Sequence, residues 1–264
     1  MLDMSKEMKF EILTDFDGTL TMRNAGHGNS FSVLRDVMSE EGQQYSDGIY
    51  AKYGPKEYDF SISATERDSL MREWWVEEFD CVTRYKVHKD DIKKAAASDA
   101  LVLRPYVKEL FVLAEENDIP ILILTAGVAD IIEYKLAKEG LIDIDDQGNI
   151  KNKNIKVIGN KFKYDNGGYI IGTLPPLVYI MNKYEIMKSL DKNIHADTAF
   201  VLGDHPADIN MCDPVNHKEV ISFGFLNNKI NNGDYDVYDH LYEKGDASFE
   251  DVYNKLKDQV DLIL

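Results

Sequence analysis

The sequence predicts an α/β fold: a doubly wound, Rossmann-like parallel sheet that carries an inserted α-helical unit. Three observations lead there. Short β-rich runs alternate with helical stretches along the chain, which is the pattern of a parallel sheet with crossover helices. Ile119 to Leu124 (Ile-Pro-Ile-Leu-Ile-Leu) is apolar throughout, as a strand buried on both faces must be. Asp15, Thr125 and Asp204 each close a β-rich run, and sheets of this kind bind ligands at the carboxyl ends of their strands.

The elements follow in order. Lys9 to Leu13 reads as a buried strand ending at Thr14-Asp15. Helix formers dominate from Met22 to about Arg104. Ser30 to Glu41 and Ala64 to Tyr85 carry apolar residues at helical spacing, with Leu70, Trp74 and Val82 near one stripe. The expected division is therefore a core of residues 1–22 and 105–264, with residues 23–104 as a helical insertion. Pro105 suits the first turn of a helix reaching about Asn117. Beyond Thr125-Ala126-Gly127, Val128 to Glu139 reads as a helix and Lys156 to Ile158 as a short strand. Lys161 to Tyr164 and Tyr169 to Ile171 form a hairpin pattern across Asn166-Gly167-Gly168. A helix over Lys183 to Leu190, strands over Thr198 to Leu202 and Glu219 to Phe223, and an amphipathic helix over Phe249 to Leu262 complete the pattern.

A chain of 264 residues can bury a core of ordinary size, as one large domain or as a core with an inserted unit. Its 47 acidic residues outweigh 30 basic ones, giving a net charge of −17. That balance disfavours nucleic-acid polymers and anionic membranes, which need clustered Lys and Arg. It leaves room for a small phosphorylated substrate, because a divalent cation and a few basic groups make one pocket locally positive. Cys81 and Cys212 are far apart, which argues against a thiolate zinc site and a disulfide framework. The N-terminus shows no apolar signal core, and no apolar run reaches membrane-spanning length. The expected protein is soluble and cytoplasmic.

Asp15 and Asp17 leave a strand one residue apart, and Gly18 permits a sharp turn after them. Such a pair is either a turn with capping aspartates or a site for Mg²⁺ or phosphate chemistry. Thr125 is either a helix N-cap or, with neighbouring backbone N–H groups, a holder of phosphate oxygens. Lys183 alone is an ordinary surface lysine. Gly203-Asp204-His205-Pro206-Ala207-Asp208 is a second acidic turn, with Asp208 in a first helical turn.

In their order and strand-end positions these residues resemble the haloacid-dehalogenase-like superfamily. Its motifs are D-x-D-G-T, a Ser or Thr after a second strand, a Lys, and G-D-x-x-x-D. Within that superfamily the chain is similar to the cytosolic pyrimidine 5′-nucleotidases, or 5′-nucleotidase III. The stretches that carry this likeness are Ile119 to Asp130, Met181-Asn182-Lys183, Val201 to Met211, Phe223 to Asn227, and Tyr50 to Trp75 in the insertion.

The resemblance implies a Mg²⁺-dependent phosphomonoesterase acting on nucleoside 5′-monophosphates such as UMP and CMP. It implies Asp15 as nucleophile and Asp17 as general acid and then base. Mg²⁺ would lie between Asp15, the Asp17 carbonyl and Asp204, supported by Asp208. Thr125 and the Ala126 amide would hold phosphate oxygens, and Lys183 would neutralise the phosphoryl charge. The insertion would be a cap that reads the leaving group. Glu57 aligns with the family's base-reading glutamate, and the alternative for it is an exposed helix residue. Tyr53, Tyr58, Trp74 and Trp75 are stacking or core residues. Glu78 stands where the family has a serine that touches substrate, and His205-Pro206-Ala207 replaces Ser-Gln-Gly. For His205 a local hydrogen bond is expected. Glu78 keeps open a phosphatase for phosphoserine or a sugar phosphate, and residue identity does not separate hydrolysis from phosphotransfer. A non-catalytic nucleotide-binding protein is disfavoured, since both Asp15 and Asp17 are kept.

Overall fold

Strand β1 (Met8–Thr14) lies near the middle of a seven-stranded sheet. The computed structural model describes residues 8–23, 28–57, 59, 61–145, 148–190, 196–212, 217–227 and 235–262. The sheet also contains β2 (Ile121–Val128), β3 (Ile155–Tyr164), β4 (Ile170–Leu174), β5 (Ala196–Gly203), β6 (Glu219–Phe225) and β7 (His240–Tyr242). Their spatial order is β4-β3-β2-β1-β5-β6-β7. Among the described strands only β4 runs antiparallel to its neighbour, closing the expected hairpin with β3. The parallel strands β2 and β5 are buried along nearly their whole length, which accounts for the apolar runs Ile121 to Leu124 and Ala199 to Leu202 within them.

Among the described residues the α-helices are α1 (Ser30–Asp36), α2 (Glu40–Tyr53), α3 (Ala64–Arg84), α4 (Lys89–Ala96), α5 (Val107–Glu116), α6 (Ala129–Lys138), α7 (Lys183–Ser189) and α8 (Glu250–Asp261). The first four lie between β1 and α5, where the sequence predicts the insertion. The single helix expected over Ser30 to Glu41 is broken. Ser39 turns extended and its hydroxyl accepts from Gly42 N–H at 3.3 Å, so a new helix begins there. Strand β2 does not stop at Leu124. It continues through Thr125 to Val128 with an irregularity in its pairing to β3. The two short strands expected around Lys156 and Lys161 are one strand of 10 residues.

Helices α2 and α3 share an aromatic row. Tyr53 stacks on Trp74, Trp74 on Trp75, and Trp75 on Phe79, whose edge meets Phe162 of β3. The Tyr53 and Trp74 rings are thus packing residues of this unit, and Tyr58 lies outside the described residues. The two ends of the segment between β1 and α5 meet in a short antiparallel neck. Met22 N–H donates to Val102 O at 2.8 Å, and Arg104 N–H to Leu20 O at 2.9 Å.

Arg104 locks the base of that neck. Its guanidinium is buried, and Nε donates to Thr19 O at 2.7 Å while Nη2 donates to Gly18 O at 2.7 Å. Nη1 reaches Gly245 O and Ala247 O, both at 3.1 Å, and the Phe225 ring lies 4.6 Å from the guanidinium carbon. No helix among the described residues is long and apolar enough to cross a membrane.

Candidate active site

Asp15 follows β1, and its backbone N–H still pairs with Leu202 O of β5 at 3.0 Å, which fixes the carboxylate at the strand end. The residue is 5 % exposed, and Lys183, at the start of α7, is 1 % exposed. Lys183 Nζ donates to Asp15 Oδ1 at 2.6 Å and to Asp208 Oδ1 at 2.7 Å. Read alone, Lys183 is an ordinary surface lysine, and the family resemblance makes it a charge-neutralising site residue; in the fold it is a buried cation between two carboxylates. Burial pushes its pKa down, but Asp15 and Asp208 outweigh that and hold it above the usual lysine range.

Asp208 closes the loop after β5. Its Oδ2 accepts from the N–H groups of Asp204 at 3.1 Å and His205 at 3.0 Å. His205 Nδ1 accepts from Ala207 N–H at 3.0 Å, the local hydrogen bond expected for it. Tyr235 and Tyr238 brace the same loop from below, donating to the carbonyls of Asp204 at 2.9 Å and His205 at 2.7 Å. Gly18 must be glycine: its φ is +84°, and a Cβ there would lie 2.3 Å from Asp204 Oδ2. Asn227 holds the two loops together, donating to Gly18 O and to Asp204 Oδ2, each at 2.9 Å.

Asp15, Asp204 and Asp208 each offer a carboxylate oxygen, all within 4.8 Å of one another. Burial pushes the Asp15 pKa up against the pull of Lys183, with Asp208 adding to the rise. Asp204 is pushed up to about 8 by burial, with Arg23 pulling it down and Asp15 and Asp208 raising it. Asp15 and Asp204, whose carboxyls burial holds above the ordinary range, are short of positive charge. An all-oxygen set with that deficit suits a hard divalent cation such as Mg²⁺.

Asp17 stands beside this cluster. Its Oδ1 accepts from Ser30 N–H at 2.7 Å and its Oδ2 from the Ser30 hydroxyl. Its pKa is pushed up to about 6 by burial, with Ser30 lowering it and Asp15 raising it. Thr125 is buried within β2 rather than at a helix cap, and its hydroxyl accepts from Gly127 N–H at 3.0 Å. Asn160 donates to Ala126 O and Val178 O, both at 2.7 Å, and so ties the β2 turn to the segment leading to Lys183.

Glu57 is half-buried and close enough to Arg23, Asp208 and Lys183 to feel each charge; burial raises its pKa, against Arg23 and Lys183. Glu78 lies elsewhere. It is 2 % exposed, accepts from Ser46 Oγ at 2.9 Å and from Trp74 Nε1 at 3.1 Å, and its charged neighbours are Arg35 and Asp47. The expectation that Glu78 touches substrate is thus corrected: it joins α2 to α3. Trp74 sits four residues before it on one helix face, within reach of its carboxylate.

Sequence reasoning also missed Arg23, Ser30, Asn160, Tyr235 and Tyr238. Arg23 Nη1 lies 3.5 Å from Asp204 Oδ2. None of these residues stands in a short motif; only the fold brings them to the site.

A family model described as pyrimidine 5′-nucleotidase (UMPH-1) matches residues 20–260. The chain belongs to the pyrimidine 5′-nucleotidase family. Its relatives include the 7-methylguanosine phosphate-specific 5′-nucleotidase of Gallus gallus, 29 % identical over 90 % of this chain and 84 % of that protein. The protein of the same name from Homo sapiens is 27 % identical over 94 % of this chain and 83 % of its own length. Among solved structures, cytosolic 5′-nucleotidase IIIB bound to cytidine is similar, with a TM-score of 0.77, 23 % identity, and coverage of 96 % of this chain and 88 % of that one. A phosphoserine phosphatase in apo form matches with a TM-score of 0.54 at 15 % identity, covering 95 % of this chain and 98 % of its own. The sheet is that of the haloacid-dehalogenase-like fold. As a member of the 5′-nucleotidase family, the protein is a phosphoric monoester hydrolase.

Proposed function

We propose that the protein is a Mg²⁺-dependent 5′-nucleotidase that works through a phosphorylated Asp15. The observation that carries this reading is the buried Lys183 between Asp15 and Asp208, with Asp204 alongside. Asp15 Oδ attacks phosphorus as the bond from phosphorus to the 5′ oxygen breaks, and Asp17 gives its proton to that oxygen. A water then attacks the same phosphorus, Asp17 takes a proton from it, and Asp15 is released with inorganic phosphate. Thr125 and the Ala126 N–H hold phosphate oxygens, and Lys183 balances the charge that gathers there. Asp15, Asp204 and the Asp17 carbonyl would hold Mg²⁺, with Asp208 in support. The ion, when bound, supplies positive charge to the phosphoryl group.

Residues 23–104 act as a cap that reads the nucleoside. Glu57 is its candidate base reader, supported by its nearness to Lys183 and Asp208. A carboxylate accepts hydrogen bonds from the exocyclic amine of cytosine or the ring N–H of uracil. The names of the relatives support a second base, 7-methylguanine, whose ring N–H and exocyclic amine present donors and whose ring is positively charged. A small phosphomonoester, rather than a polymer, fits the net charge of −17.

The test is phosphate release from UMP, CMP, 7-methylguanosine monophosphate, AMP and phosphoserine with Mg²⁺ present. Nucleotides should exceed phosphoserine, and Glu57→Ala should change the ranking among bases. Faster release from phosphoserine overturns the nucleotidase reading. An Asp15→Asn variant with parental activity overturns the mechanism, and full activity in EDTA overturns the metal.

A further inference from the structure

Asp17 does not stand alone at the site. Both of its carboxylate oxygens are held by one residue, Ser30, which opens α1: the Ser30 N–H donates to Oδ1 at 2.7 Å and the Ser30 hydroxyl to Oδ2. The same hydroxyl accepts from Val128 N–H at 3.0 Å, at the junction of β2 and α6. Ser30 is wholly buried. One hydroxyl therefore ties the loop after β1, the first helix of the insertion and the end of β2. Gly127 leaves the room for it. A Cβ at Gly127 would lie 2.4 Å from Asp17 Oδ2 and 2.4 Å from Ser30 Oγ.

We propose that Ser30 is the positioning residue of the acid–base group, a role that rests on the reading of Asp17 given above. A carboxyl that must first give and then take a proton has to keep one orientation through both steps. Two donors from one rigid residue fix the plane of the Asp17 carboxyl. Each oxygen retains a second lone pair for the leaving group or the water. Because Ser30 belongs to the insertion, the acid is set only when α1 is docked against β2. Cap docking and proton transfer are thereby joined in one contact.

The test separates positioning from general structural damage by the leaving group. An alkyl leaving oxygen needs a proton as it departs, whereas p-nitrophenolate leaves without one. Single-turnover release of the alcohol is measured for the parent, Ser30→Ala, Ser30→Thr and Asp17→Asn. The aryl substrate is p-nitrophenyl phosphate. The alkyl substrate is the fastest of UMP, CMP, 7-methylguanosine monophosphate and β-glycerophosphate. The ratio of alkyl to aryl rate is taken within each variant, so a partly unfolded preparation lowers both rates and leaves the ratio alone.

Ser30→Ala should lower that ratio by roughly 10- to 100-fold, part of the 10²–10⁴ that a placed general acid contributes. Asp17→Asn should lower it further, and Ser30→Thr, which keeps a hydroxyl, should restore it to within about threefold of the parent. If Asp17→Asn shifts the ratio while Ser30→Ala slows both substrates equally, Ser30 is only a packing residue and the inference fails. If Asp17→Asn itself leaves the ratio unchanged, Asp17 is not the proton donor, and the reading of Asp17 and this inference fall together.

Discussion

Lys183 Nζ lies 2.6 Å from Asp15 Oδ1, and both groups are almost wholly buried. A lone buried carboxylate would take up a proton and cease to be a nucleophile. Lys183 opposes that, and its second contact with Asp208 fixes where the ammonium points.

Lys183→Met should therefore damage the protein as well as the activity. It leaves Asp15 and Asp208 buried without their shared cation, at a cost of about 3–5 kcal/mol. Urea denaturation near pH 7.5 should show the loss, and phosphate release should fall to background. A variant of parental stability would mean that these carboxylates are protonated or otherwise compensated.

Mg²⁺ should stabilise the folded chain, by roughly 2.7 kcal/mol at a hundredfold excess over its dissociation constant. The pH dependence of the metal-free protein gives a second check. The Asp204 pKa is raised to about 8 from an ordinary 3.8, so the folded state holds a proton that the unfolded state sheds. That stabilising contribution is complete below about pH 4 and is lost as pH climbs to about 8. Melting curves in EDTA should fall across this window, and saturating Mg²⁺ should flatten them. Asp204→Asn should weaken both effects.

Glu78→Gln should make the protein more stable at alkaline pH. Burial pushes the Glu78 pKa up from 4.5 to about 7, so the folded state again holds the extra proton. Its stabilising contribution is greatest below about pH 4.5 and is lost as pH rises through 7. An amide can still accept from Trp74 and can donate to Ser46. The gain should be about 1–3 kcal/mol at pH 8 and much smaller at pH 4.5, read from denaturant midpoints. No change in base preference should accompany it, since Glu78 lies away from the carboxylate cluster.

Arg104→Met should cost about 3–5 kcal/mol, because it strips donors from the carbonyls of Gly18, Thr19, Gly245 and Ala247 at once. Thermal melting measures it. Activity per folded molecule should also fall, since Gly18 lies in the turn after Asp17 and packs against Asp204.

The sheet was legible because fully buried parallel strands are written as apolar runs, and Ile119 to Leu124 is one. Asp15, Asp17, Lys183, Asp204 and Asp208, which the fold brings together, could be read as candidates because they stand in short motifs; Thr125 could too, although it lies within β2 and not at the strand end the sequence suggested. The break at Ser39 was not legible. The apolar spacing continues across it, and only the cap geometry shows the stop. The three-residue strand β7 was missed because it is only half-buried and carries little apolar signal. Ser30, Asn160 and the two tyrosines were missed for another reason. Each acts on a partner far away in sequence, as Tyr235 does on Asp204, so no local pattern marks it. Glu78 was misplaced because alignment to a serine carries no information about which way the helix faces.

The pairing of Leu20–Met22 with Val102–Arg104 closes the segment between them like a seam. Both ends of the intervening segment are stitched to each other and then anchored through Arg104 to the turn behind the nucleophile. On the proposed reading of residues 23–104 as a cap, the material beyond that seam is where substrate preference would be free to change while the phosphate-handling residues stay put. Ser30 is the exception: it is the tether by which any replacement module would still have to report its arrival to Asp17.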